Sequence, residues 1–164
     1  MIKYFCLLLF LCSSLFSSCA CQKQLSGAAK PIEQVKRAAD GQDVDQNELT
    51  KAISQLAEER NKQASDSLIK LMLTTDNLEL ANTCLIALGD IGEPKSMAAI
   101  ISFSERKPPV IRRQAIISAR KIGGKEAAEW LLVMAYGYED AQVRKEALSA
   151  LQEVEARLDQ GKGN

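Results

Sequence analysis

The residues of this chain best able to do covalent chemistry are its five cysteines, Cys6, Cys12, Cys19, Cys21 and Cys84, and no histidine accompanies them anywhere in 164 residues. Without histidine, Ser-His-Asp and Cys-His nucleophile systems, His-ligated metals and the commonest general base all fall away. There is no Gly-rich phosphate loop, since Gly123-Gly124 is a lone pair between two helical segments. The carboxylates are numerous, but Glu58, Glu59, Glu153 and Glu155 lie at positions that helical periodicity puts in solvent. The densest acidic pair, Glu139-Asp140, reads as a helix start with Asp140 as N-cap before Ala141, and Asp76 before Asn77 is read the same way. The expectation is a protein that is not an enzyme, with no catalytic set, no cofactor, no metal site and no evident small-molecule substrate.

The cysteines divide by position. Lys3 precedes a wholly apolar run from Tyr4 to Leu11, followed by small residues, which is the layout of a secretion signal. The run is shorter than the roughly 20 residues a membrane-spanning helix needs. Phe16-Ser17-Ser18-Cys19 resembles the lipobox of bacterial lipoproteins, although Phe16 stands where leucine is commonest. That resemblance implies cleavage after residue 18 and lipidation of Cys19, with Ser18-Cys19-Ala20-Cys21 offering a second register in which Cys21 is the acceptor. Cys6 and Cys12 would then leave with the signal. Ala20 in place of aspartate implies, by resemblance to enterobacterial sorting, the inner leaflet of the outer membrane facing the periplasm if the host is Gram-negative. Residues 19–30, polar with a Ser-Gly-Ala-Ala segment, read as a flexible tether with a reach on the order of 15–18 Å.

These residues need elements to position them, and from Asn47 onward helical periodicity hardly stops. Cys84–Gly92 (CLIALGDIG), Ala115–Gly123 (AIISARKIG) and Ala147–Glu155 (ALSALQEVE) nearly repeat one another, with Ile91, Ile122 and Val154 in register at spacings of 31 and 32 residues. Self-similarity at such a period marks a stack in which each unit buries its apolar face against its neighbours. Breakers at Gly89–Pro94, Lys107–Pro109, Gly123–Gly124 and Gly137–Asp140 divide the chain into pairs: Asn47–Arg60 with Lys62–Leu73, Asn77–Leu88 with Lys95–Ser104, Val110–Ile122 with Lys125–Ala135, and a last helix Ala141–Leu158. Pro31 opens a short helix to Ala39, and residues 41–46 read as a loop. No segment alternates as a strand does. The columns Ile53, Leu85, Ile116, Leu148 and Leu56, Leu88, Ala119, Leu151 are core by spacing, as are Leu68, Ile100, Leu131 and Leu71, Phe103, Met134. Cys84 falls in the small-residue column Ala52, Cys84, Ala115, Ala147 and is expected to pack rather than react.

Ala87-Leu88-Gly89-Asp90-Ile91-Gly92-Glu93-Pro94, and Val143-Arg144-Lys145-Glu146-Ala147-Leu148 after Glu139-Asp140, resemble the short bacterial HEAT-like repeats first associated with phycobilisome lyases. The resemblance covers about residues 47–158. It implies an all-α fold, a short right-handed α-solenoid of about three and a half helical hairpins whose second helices line a concave face. The pair at the N-terminal end departs from the pattern, with Glu48 where Leu80, Ile111 and Val143 stand, and reads as a degenerate capping repeat. Lyase chemistry does not follow from the scaffold, because that reaction is cytosolic whereas this chain carries an export signal. The expected organisation is a signal peptide over 1–18, a tether over 19–30, a short helix and loop over 31–46, the repeat domain over 47–158 and a disordered tail over 159–164.

Two features could recognise a partner. Arg106, Lys107, Arg112, Arg113, Arg120, Lys121 and Lys125 form a basic band with no acid among them, within a chain of balanced charge, 21 basic against 21 acidic residues. The band is either the solvated face of one repeat, with counter-charges on its neighbours, or a surface for an anionic partner or lipid headgroups. The other feature is Trp130, which stands where the other second helices carry Ser67 and Ala99, with Val133 one turn on and Tyr136 and Tyr138 following. It either packs against the C-terminal helix or centres an interface, where large rigid rings are favoured. The candidate partner-binding residues are therefore Trp130, Val133, Tyr136, Arg112, Arg113 and Arg120. The expected function is a lipid-anchored, non-catalytic scaffold for a protein or peptide of the cell envelope, membrane-bound through its N-terminal lipid. The alternatives are an accessory subunit of a modifying enzyme or a soluble secreted binding protein. Nucleic acid is not an expected partner, since export removes the usual ligand and the charge is not basic.

Overall fold

An Asx side chain or a proline starts four of the described helices. Asp45 accepts from the Glu48 N–H, Asn77 from those of Glu79 and Leu80, and Asp140 from those of Gln142 and Val143, each satisfying donors that a first turn leaves unpaired. Pro109 opens another helix, where its missing N–H costs nothing. The computed structural model describes residues 30–105 and 107–161. They form α1 (30–39), α2 (Gln46–Glu58), α3 (Ser65–Thr74), α4 (Leu78–Ile91), α5 (Met97–Ser104), α6 (Pro109–Ile122), α7 (Gly124–Gly137) and α8 (Ala141–Gly161). Short 3-10 turns, Lys62–Ala64 and Pro94–Ser96, lead into α3 and α5. The described residues contain no strand, and none of their helices is long and apolar enough to cross a membrane. The signal peptide over 1–18, Cys19, Cys21 and nearly all of the tether lie outside the described residues.

The all-α expectation holds, with local corrections. The residues read as the starts of two second helices, Lys62 and Lys95, belong instead to the 3-10 turns. The cap before α4 is Asn77 rather than Asp76, since the Asn77 side chain is the one that accepts the first-turn N–H groups. Gly89, read as a breaker, lies inside α4, which continues to Ile91 and ends at Gly92, whose φ of 72° is left-handed. At the other end α8 runs to Gly161, through part of the expected tail, because Leu158 still packs on the core.

Helices pack in two interleaved series. α2, α4, α6 and α8 contact one another in succession, α3, α5 and α7 do likewise, and α3–α4, α5–α6 and α7–α8 join the series. The expected columns are where this packing buries surface: Ile53, Leu85 and Ile116, then Leu56, Leu88, Ala119 and Leu151, then Leu68, Ile100 and Leu131 are all buried. Leu148, the fourth member of its column, is not core. It is 36% exposed, because no described helix follows α8 to cover it. At the opposite end Glu48 is exposed and accepts from the Gln34 amide, while Val35 and Ala39 of α1 are buried against the α2–α3–α4 core.

Gly89 explains how closely α4 and α6 approach. A Cβ added there would sit 2.8 Å from the Cα of Ser118, so only glycine admits the α6 backbone. Ser118 is fully buried and donates 3.0 Å to the Leu85 carbonyl of α4, so its hydroxyl is satisfied at that contact.

Chemical denaturation tests this packing. Leu131→Ala should cost roughly 2–5 kcal/mol through the cavity it leaves, whereas Leu148→Ala should cost about 1 kcal/mol or less, because less apolar surface is lost. Gly89→Ala gains about 1 kcal/mol in helix propensity but overlaps Ser118, a strain of about 1–3 kcal/mol, and we expect net destabilisation. A stabilised Gly89→Ala variant would contradict the close contact.

Candidate partner-binding surface

The basic band is largely committed to the protein itself. Arg113 forms a 2.7 Å ion pair with Glu146, Arg120 pairs with Glu153 at 3.2 Å, Lys121 with Asp90 at 2.5 Å and Lys125 with Glu129 at 3.6 Å. Three of these bridges join partners 31 or 33 residues apart, close to the period of the sequence, and Lys70–Asp40 adds a fourth at a separation of 30. The Arg113 hydrogen bond holds the Glu146 carboxyl below its ordinary range, and Glu146 in turn raises the Arg113 guanidinium. Each pair is exposed enough to contribute little stability singly. What the ladder does is set the counter-charges, so Arg113 and Arg120 are not free cations.

Arg112 is engaged differently. Its guanidinium donates to the Glu105 carbonyl just past the end of α5 and lies 5.0 Å from the centre of the Tyr138 ring. Arg144, at the equivalent place on α8, donates to the carbonyls of Tyr138 and Glu139 past the end of α7, and Arg157 donates to the Arg120 carbonyl near the end of α6. Three arginines thus satisfy carbonyls that helix ends leave orphaned. Lys107 lies 4.7 Å over the Phe103 ring. Arg106 lies outside the described residues.

Trp130 is half-buried and packs on both apolar clusters of the core, one centred on α2–α4 and the other on α6–α8. Its remaining surface lines a cavity of about 260 Å³ together with Ile101, Ser104, Glu105, Arg112, Val133, Met134 and Tyr138. Beside it α7 presents Leu132, Val133 and Tyr136 to solvent, Val133 at 66% and Tyr136 at 72% exposure. Trp130 is thus partly core, with one side open to the cavity. Arg112, Trp130 and Val133 meet at this pocket, Tyr136 flanks it along the same helix, and Tyr138, which follows Tyr136 in the same sequence feature, completes it with Met134 of a core column and with Ile101, Ser104 and Glu105, which the sequence did not single out. Arg113 and Arg120 instead line a separate groove of about 490 Å³ between α6 and α8, with Val110, Gln114, Ile116, Ile117, Glu146, Ser149 and Ala150. The candidate residues thus fall on two surfaces, not one.

Among the described residues no group of three or more Cys, Asp or Glu side chains could hold a metal ion. Asp140 owes its lowered pKa to the Val143 and Gln142 N–H groups of its cap. Cys84 is fully buried and free, and burial pushes its thiol up to about 12.

The chain matches no family model and no curated protein.

Burial within α4 shields the Cys84 thiol from reagents and disfavours its thiolate. At pH 8 the native protein should leave Cys84 unmodified by iodoacetamide over hours, whereas the same protein in guanidinium should alkylate there within minutes, read by mass spectrometry of the peptide carrying residue 84. Rapid native labelling would contradict the packing of α4.

Proposed function

We propose that this protein is a lipid-anchored envelope scaffold that holds a protein or peptide partner on the α7 face, without catalysing a reaction. The observation that carries the reading is the Trp130 pocket set beside the exposed row Leu132, Val133 and Tyr136. Apolar and aromatic side chains left in solvent around a small concavity are the composition of an interface centre rather than of a reaction site. The absence of histidine from the whole chain favours binding over acid–base chemistry.

The succession of contacts along α2, α4, α6 and α8, and along α3, α5 and α7, together with ion pairs recurring about once per repeat, supports a right-handed α-solenoid of about three and a half HEAT-like hairpins. In such a stack α7 belongs to the series that lines the concave side. The Phe16-Ser17-Ser18-Cys19 segment supports anchorage through Cys19, with Cys21 as second choice, in the outer membrane facing the periplasm if the host is Gram-negative. Anchorage restricts the partner to what lies near that membrane.

Metabolic labelling with an alkyne fatty acid tests the anchor. The label should be retained in Cys21→Ser and lost in Cys19→Ser, which should also shift the protein out of the membrane fraction. The partner surface is tested by Val133→Asp, which should keep the fold and abolish recovery of the envelope protein that co-purifies with the wild type. An unlabelled, soluble protein that carries a pigment or a catalytic chain would contradict both halves of the reading.

A further inference from the structure

Among the described residues, one end of the helix series is covered and the other is not. α1 covers the first end, with Val35 and Ala39 buried against the α2–α4 core. At the last end, α7 and α8 carry the residues that elsewhere hold a helix to its successor, and no described helix receives them. Leu148 is exposed where its column mates Ile53, Leu85 and Ile116 are buried. Leu132 is likewise exposed, at the place in α7 where α3 and α5 carry Ile69 and Ile101, half-buried against the core. Lys145 holds the place in α8 that Arg113 holds in α6, and Arg113 reaches forward to Glu146 of the following helix. Lys145 and Glu155 form no ion pair with any described residue.

Lys145, Leu148, Gln152 and Glu155 succeed one another at spacings of 3, 4 and 3, which puts them on one side of α8, and all four are exposed. The buried residues Val143, Ala147, Ala150, Leu151 and Val154 occupy a separate face. Reversed, the exposed stripe is its own complement. A second α8 laid antiparallel, with a two-fold axis through the midpoint of the stripe, brings Lys145 opposite Glu155 of the copy and Leu148 opposite Gln152 of the copy, and the axis repeats both pairs.

We propose that this end of the molecule binds a second copy of the chain, α8 against α8 about a two-fold axis, covering Leu148 and Leu132 and closing two Lys145–Glu155 ion pairs. A stripe with a cation at one end, an anion at the other and a leucine and an amide between them matches itself, which selects a copy over an unrelated helix. Because α1 already covers the opposite end, a head-to-tail contact has no equivalent face to meet, and association stops at two. The pairing does not depend on the reading of the α7 face as the partner surface. Leu132 is not among the residues of the Trp130 pocket, whose other walls come from α5 and α6.

Sedimentation equilibrium of the full-length protein, in a detergent matched to the buffer density, reports the mass of protein alone. The protein should pass from one chain to two with a dissociation constant below about 100 µM. Lys145→Glu and Glu155→Lys each set two pairs of like charges face to face and should weaken the dimer at least about fivefold. The double variant Lys145→Glu/Glu155→Lys should restore it to within about twofold of the wild type. All three variants should keep the helical circular dichroism, since both residues are exposed and unpaired. Zero-length carbodiimide cross-linking gives a second readout: within one α8 the two residues are separated by roughly 15 Å along the axis, so a Lys145–Glu155 amide identified by mass spectrometry joins two copies. A monomer at about 100 µM, an assembly larger than two, or a double variant no tighter than the single ones would each overturn the proposal. So would a monomeric protein from which Leu148→Asp removes a different co-purifying chain, because the face then serves another partner.

Discussion

The close approach of α6 to α4 at Gly89 joins the two halves of the core. With no Cβ on Gly89, the α6 backbone comes to Ser118 distance, and the Ser118 hydroxyl closes on the Leu85 carbonyl. α6 thereby serves both halves of the core: Ile111 and Ala115 belong to the apolar cluster of α1–α4, and Ile116 and Ala119 to the cluster shared with α7 and α8. Trp130 lies on the same seam. The α5–α7 surface that carries the candidate pocket is in turn held by the α5–α6 and α7–α8 contacts.

The charge pattern follows the same geometry. Apolar columns decide which helices face each other, and a residue on the flank of one helix then meets the residue about one repeat later. Asp40 with Lys70, Asp90 with Lys121, Arg113 with Glu146 and Arg120 with Glu153 are instances. Such pairs add little energy singly, but like charges in those places would oppose each neighbouring contact, so the ladder works for register. Arginine has a second use where helices end, as Arg112, Arg144 and Arg157 show.

Much of this was legible in the sequence because a repeat states its core several times. Ala52, Cys84, Ala115 and Ala147 are buried as their column requires, and Asp140 caps α8. Leu148 fails because periodicity reports which face is apolar and not whether a neighbour exists to cover it. Gly89 fails for a related reason: locally it is a helix breaker, and only the approach of Ser118 reveals what its missing side chain permits. The counter-charges of Arg113, Arg120 and Lys121 lie about thirty residues away, where the reading of the band as a solvated face put them, whereas Lys125 finds Glu129 on its own helix. Arg112 and Arg113 are adjacent in sequence yet point to different surfaces, one to the Trp130 pocket and one to the groove between α6 and α8. Tyr138, just past the end of α7, packs on the α6–α8 cluster with its ring beside the Arg112 guanidinium.

The central claim is that the α7 face, and not the groove between α6 and α8, is where the partner sits. Site-specific photo-crosslinking in the host envelope tests it most directly, with the photoreactive residue placed at Val133 in one strain and at Ile117 in another. The account predicts one discrete protein adduct from position 133 and none from position 117. An adduct from position 117 alone, or lipid adducts alone from position 133, would contradict it.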